Sequence, residues 1–118
     1  MQYALLFYNA PETMAEAMPE GERAAFLAAM MAWRGELERA GVFRVGLRLA
    51  ASEAATSLRS RAGDVIASDG PFAETKELLG GFVLIECEDL DAALAYARRC
   101  PIAKTGTVEV RPEFLRPR

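Results

Sequence analysis

Two short runs, Gln2–Tyr8 and Gly81–Cys87, are apolar on both of their alternating faces and constrain the fold more than any other feature. In the first, Tyr3, Leu5 and Phe7 point one way and Ala4, Leu6 and Tyr8 the other. In the second, Phe82 and Leu84 oppose Val83, Ile85 and Cys87. A half-exposed strand needs only one apolar face, so both runs belong inside a sheet covered on two sides. The segments around them change type in a fixed order. Pro19, at the first helical position, and Glu20 and Glu22 open a helix that runs to about Ala40. It carries Phe26, Met30, Trp33 and Leu37 on one face, and Gly41 ends it. In Val42–Ala50, Phe43, Val45, Leu47 and Leu49 alternate with Arg44, Gly46 and Arg48, which gives a strand with one wet or functional face. Thr56–Ser60 and Asp64–Ser68 flank a Gly-containing turn and read as a hairpin. Asp89 caps a second helix with Leu90, Ala93, Leu94 and Ala97 as its stripe, Pro101 stops it, and Thr107–Pro112 is the last strand.

With the hairpin set aside, the order is strand, helix, strand, strand, helix, strand. This predicts an α+β fold, the ferredoxin-like split βαβ, in a single domain over residues 1–118. Two helices cover one face of such a sheet. The other face would expose Phe82 and Leu84 in a large apolar patch, and a second copy packed sheet to sheet in a closed two-fold homodimer covers it.

Composition narrows the function classes. The chain is 52% apolar and 26% charged, ordinary for a globular protein. A net charge of -3, from 14 basic and 17 acidic residues, argues against general nucleic-acid binding. Arg98, Arg99, Lys104, Arg111, Arg116 and Arg118 gather near the end as a solvated helix terminus and tail. The longest apolar run, Ala24–Trp33, is far shorter than the roughly 20 residues of a membrane-spanning helix, and the opening residues lack a basic leader region. Cys87 and Cys100 lack CxxC spacing and read as small buried hydrophobes of a protein in a reducing cytoplasm. There is no histidine, which removes Ser-His-Asp and Cys-His chemistry, the usual zinc sites and an imidazole proton shuttle. Neither GxGxxG nor GxxxxGK[ST] occurs, and the spacing of Asp69, Glu74 and Glu77 singles out no metal site, so no cofactor or metal is expected.

The stretch Ser68–Phe82 joins the hairpin to the second apolar strand. Asp69-Gly70 is a preferred turn pair, Pro71 fixes the following residue, and Phe72 is expected to anchor the loop in the core. Gly80-Gly81 permits a close backbone approach at a bulge. On local physics alone this is a rigid connector with exposed Glu74, Lys76 and Glu77.

The run Asp69-Gly70-Pro71-Phe72-Ala73-Glu74-Thr75-Lys76-Glu77, followed by Leu79-Gly80-Gly81-Phe82, resembles the DGPF branch of the YCII-related family of small bacterial proteins. Tyr3–Tyr8, Asp89–Leu94 and Gly106–Pro112 extend the resemblance over nearly the whole chain. It implies a dimeric α+β barrel with a cleft in which an aspartate and a histidine act together. It also implies an association with extracytoplasmic-function sigma factors, and relatives that include a dehydrochlorinase acting on a chlorinated aromatic intermediate. Asp69 matches the aspartate. Before Gly106, where the histidine usually stands, this chain has Thr105, which carries no proton near neutral pH.

Two functions follow. As a binding or regulatory module, the dimer holds a small molecule or docks on a sigma factor, and the lost histidine favours this. As an enzyme, Asp69 is the general acid or base of a partly dry cleft, in a cofactor-independent elimination or isomerisation of a small carbonyl or aromatic compound. The ligand-binding candidates are Tyr8 as hydrogen-bond donor, Phe72, Lys76 and Arg111 for an anionic group, and Thr105 for positioning.

Overall fold

A computed structural model describes residues 1–73 and 75–115. Glu74, Arg116 and Arg118, named above, lie outside the described residues. The elements run β1 (Gln2–Asn9), α1 (Glu20–Arg39), β2 (Phe43–Arg48), β3 (Thr56–Arg61), β4 (Asp64–Asp69), β5 (Leu78–Glu86), α2 (Leu90–Arg98) and β6 (Thr107–Pro112). Four strands form one sheet in the order β2-β5-β1-β6, every neighbouring pair antiparallel. This is the ferredoxin-like arrangement, and the two strands apolar on both faces, β1 and β5, are its centre. The β3–β4 hairpin is a separate two-stranded sheet.

The core lies between the helices and one sheet face. Tyr3, Leu5 and Phe7 of β1 and Val83 and Ile85 of β5 point into it. Trp33 and Leu37 of α1 and Ala93 and Ala97 of α2 close it from above. Leu5, Leu37 and Ile85 are fully buried, each worth about 1.5–3 kcal/mol of burial. Trp33 links three elements: its ring meets Phe7 edge-on at 5.9 Å, and its Nε1 donates to the Tyr96 carbonyl at 3.0 Å. Gly41, at φ +76°, ends α1 in a Schellman turn, its N–H on the Glu38 carbonyl and that of Val42 on Leu37. Asp89 caps α2 by accepting the Ala92 N–H at 2.9 Å.

Several expectations are corrected. Pro19 is the N-cap of α1, one residue before the helix. In β2 the alternation breaks between Phe43 and Val45, where the register slips at Arg44. Phe43 therefore shares the helix-covered face with Gly46 and Arg48, while Val45 and Leu47 take the open face opposite Leu84 and Phe82. Leu90 is exposed, and the α2 stripe reduces to Ala93 and Ala97, small enough for the helix to lie close on the sheet. Phe72 is 79% exposed and anchors nothing in this chain's core. Glu113 is tied to β1, its N–H on the Gln2 carbonyl and its side chain on the Gln2 N–H, while Phe114 and Leu115 are exposed. The bulge expected at Gly80-Gly81 is present: β1 passes from Phe7 to Tyr8 while β5 passes from Gly81 to Leu79.

Candidate functional site: an apolar cleft beside the first helix

The middle of α1 stands over the β2–β5 side of the sheet and leaves a cleft of about 470 Å³. Phe7, Phe26, Met30, Trp33, Phe43 and Val83 supply its apolar lining. Leu27 and Met31, a turn apart on α1 and both exposed, stand at its mouth. Gly46 leaves room on the sheet side: a Cβ there would sit 2.9 Å from Val83 Cγ2 and 3.3 Å from the Phe43 ring. Its polar lining is Asn9, Thr13, Glu16, Arg34 and Arg48. Size, apolarity and a few fixed polar groups are the ordinary attributes of a small-molecule site.

Asn9 is the cleft's buried polar residue. Its Nδ2 donates to the Thr13 carbonyl at 3.0 Å and to the Thr13 and Thr105 hydroxyls at 3.2 Å each. Thr105 therefore stands behind the cleft wall as a hydrogen-bond partner of Asn9. Gly106 makes this junction possible, because a Cβ there would fall 2.1 Å from the Tyr8 carbonyl oxygen and 2.4 Å from Asn9 Oδ1.

A second cluster lies on the open sheet face. The Tyr8 hydroxyl donates to Glu109 Oε1 at 3.2 Å, and Arg111 Nη2 donates to Glu109 Oε2 at 2.6 Å. Arg111 holds the Glu109 carboxyl below the usual carboxylate range, and Glu109 in turn raises the guanidinium. Burial, then the Glu109 charge, pushes the Tyr8 hydroxyl up. Tyr8 and Arg111 are thus brought together, through a carboxylate that sequence reasoning did not nominate. With Arg111 engaged by Glu109, the cluster is compensated internally.

The other nominated residues stand apart from both places. Asp69 is exposed at the end of β4 opposite Thr56, and the loop is fixed by its neighbour, the Gly70 N–H on Ala55 and the Ser57 hydroxyl on the Gly70 carbonyl. Lys76 is exposed, and Glu77 accepts the Thr107 hydroxyl on both oxygens at 3.2 Å. None of Asp69, Tyr8, Phe72, Lys76, Thr105 and Arg111 lines the cleft. Sequence reading missed the cleft; the signal that could have found it is the second apolar pair on α1, Leu27 and Met31, beside the core stripe. Among the described residues no three Cys, Asp or Glu side chains converge as metal ligands, and no helix is long and apolar enough to cross a membrane.

Fold and cleft together define a small α+β protein of ferredoxin-like topology with a pocket between its first helix and its sheet. The chain belongs to the YCII-related domain family, whose model matches residues 1–114. It is 43% identical over 117 residues to an uncharacterized protein of Rhizobium meliloti (strain 1021), covering 98% of this chain and 94% of that protein. Among solved structures it resembles the 5-chloro-2-hydroxyhydroquinone dehydrochlorinase of Burkholderia phenoliruptrix AC1100 in complex with 2,5-dihydroxybenzoquinone. The TM-score is 0.56 at 17% identity, over 97% of this chain and 94% of that one, which shows a shared fold.

Proposed function

We propose that this protein is a small-molecule-binding module of the DGPF branch, a homodimer joined through its open sheet faces, each subunit holding a predominantly apolar ligand in the cleft beside α1. The observation that carries this reading is the cleft itself: about 470 Å³ of preformed space with aromatic and methionine walls and few polar groups. The chain's one tryptophan, Trp33, lines it and supplies a direct readout. Small apolar compounds are expected to change Trp33 emission saturably and to raise Tm by several degrees at a hundred times Kd. Leu27→Glu, a charge at the already exposed mouth, should weaken that binding at least about tenfold, the cost of roughly 1.4 kcal/mol. Failure of every compound to move either signal in the unaltered protein would overturn the reading.

A second reading, cofactor-independent elimination or isomerisation, is favoured by the structural neighbour, which is named as a dehydrochlorinase and was solved with a quinone. In this chain its acid or base would be Asp69, which is exposed, and the position of the expected histidine is held by Thr105. Compounds that bind in the Trp33 titration are the ones to test for turnover. Loss of that turnover in Asp69→Asn would support catalysis, and unchanged turnover would remove Asp69 from it. A sigma-factor partner finds no support in the family model or the structural neighbour and stands outside this reading.

A further inference from the structure

One side of the cleft mouth is closed by an ion pair whose halves come from different elements. Arg48, the last residue of β2, places Nη2 2.5 Å from Glu16 Oε1, and both residues line the cavity. Arg48 reaches this position because the register slip at Arg44 turns it to the helix-covered face. Glu16 stands on the short 3-10 turn Ala15–Ala17, and that turn is pinned to α1. Arg23 donates Nε to the Ala15 carbonyl and Nη2 to that of Met18, both at 3.0 Å. The Glu16 backbone is thus held on both sides, while its side chain can swing.

The two cations lining the cleft are placed differently. The Arg34 guanidinium lies 4.5 Å over the Phe43 ring and is bonded to Glu38. Arg48 has Glu16 as its one side-chain partner among the described residues, and both side chains are half exposed. A half-exposed pair contributes little net stability, so another anion can replace Glu16 at small cost. Glu16 is held as a carboxylate: its own backbone N–H first, with Arg48 and Arg23 adding to it, keeps its carboxyl below the ordinary range against the opposing effect of burial. A carboxylate therefore already occupies the guanidinium at the edge of an apolar cavity.

We infer that the cleft takes a carboxylic acid with an apolar body, whose carboxylate displaces Glu16 from Arg48 while the body lies against Phe26, Met30, Trp33 and Phe43. This rests on the reading of the cleft as a binding site. The guanidinium fork accepts a carboxylate through two parallel N–H donors, a geometry a neutral head group cannot use. Glu16 is a tethered competitor that weakens binding of the acid and leaves that of a neutral analogue nearly unchanged.

The test compares octanoate with 1-octanol on the full chain, both transparent where Trp33 emits. The readout is the ratio of the octanol Kd to the octanoate Kd. Arg48→Gln is expected to lower this ratio at least about tenfold, since a charge-assisted bond of roughly 1.5–3 kcal/mol is lost. Glu16→Gln is expected to raise it severalfold by freeing the guanidinium. Both positions are half exposed, so both variants should keep the fold, which their urea-unfolding midpoints check directly. A ratio unmoved by Arg48→Gln, or octanoate weakened by Glu16→Gln, overturns the carboxylate assignment while octanol binding keeps the cleft as a site. If neither compound moves Trp33 emission, the site itself is refuted and the assignment with it.

Discussion

Cys100 carries the largest shift of any side chain in the described residues that titrates in an accessible range: burial pushes its thiol from 9.0 up to about 11. The folded-state value is raised, so between about pH 9 and 11 the unfolded chain releases a proton that the folded chain keeps. Stability is unaffected by this group below pH 9, falls as pH rises through the window, and levels off above it. The slope is about 1.4 kcal/mol per pH unit, or roughly 3 kcal/mol across the whole window. Tyr3, Tyr8 and Cys87 are raised as well, by burial first, and add to the alkaline loss. They persist in Cys100→Ala, so subtracting the two urea-unfolding profiles isolates Cys100. The variant is expected to be less stable at pH 7 and flatter above pH 9; parallel profiles would mean the thiol is not protected as the packing implies. Sequence reading took both thiols as small buried hydrophobes; Cys100 is buried, whereas Cys87 is only half-buried. The same reading missed Glu109 and Arg48 as site residues. Their partners, Tyr8 and Glu16, are far away in sequence, and charge on a strand reads as a wet face until topology brings the partner to it.

At the scale of elements, the central strands, both helices and the hairpin were legible because each had a local cause: two-sided apolarity, a cap, a stripe, a turn glycine. The two irregularities divide on the same ground. The bulge at Gly80-Gly81 announces itself, since a Cβ on Gly81 would meet the Leu47 carbonyl oxygen at 2.8 Å and only glycine permits the approach. The slip at Arg44 has no glycine of its own. Its trace is Gly46, two residues later, kept small because Phe43 folds back over it. Without that slip Phe43 and Arg48 would lie on opposite faces, so the cleft would lose either its Phe43 wall or its Arg48–Glu16 pair, and the site depends on the one feature of β2 that alternation hides. The hairpin carries a smaller conflict. Its turn puts Ala62 at φ +50° before Gly63 at φ +87°, the type I′ geometry that Asn-Gly adopts far more readily than Ala-Gly. Ala62→Asn is therefore expected to stabilise the hairpin by about 0.5–1 kcal/mol. Amide exchange in β3 and β4 should slow severalfold with no change in the central sheet. Equal rates in the two proteins would show that something other than the turn limits hairpin opening.

The molecule is more extended than a compact chain of its length. It measures 50 × 48 × 19 Å with a radius of gyration of 16.3 Å, against about 13.5 Å for a compact chain of this length. Two stretches of exposed apolar surface bear on assembly. On the open sheet face Val45 and Leu47 are 44% and 49% exposed, beside the half-buried Leu6, Phe82 and Leu84. On the hairpin Leu58 and Val65 are 67% and 71% exposed, on one face with Ala67. An isolated two-stranded hairpin is marginal in water, so this one is expected to rest on something beyond its own chain. Size decides whether the sheet face alone makes an interface. Four strands of about six paired residues, at about 4.8 Å between strands and 3.3 Å per residue, span roughly 400 Å² of flat sheet. A stable interface takes about 800 Å² per partner. By this measure the sheet face is small for an interface on its own, and the exposed apolar face of the hairpin, Leu58 and Val65, is expected to add to it. Two consequences separate this from a simple face-to-face dimer. Sedimentation at tens of micromolar should give twice the chain mass, and Leu47→Asp on the sheet and Val65→Asp on the hairpin should each shift it toward the chain mass. A dimer that survives Val65→Asp unweakened would confine the interface to the sheet and leave the hairpin for another partner. A monomer in the unaltered protein would overturn the two-fold assembly altogether.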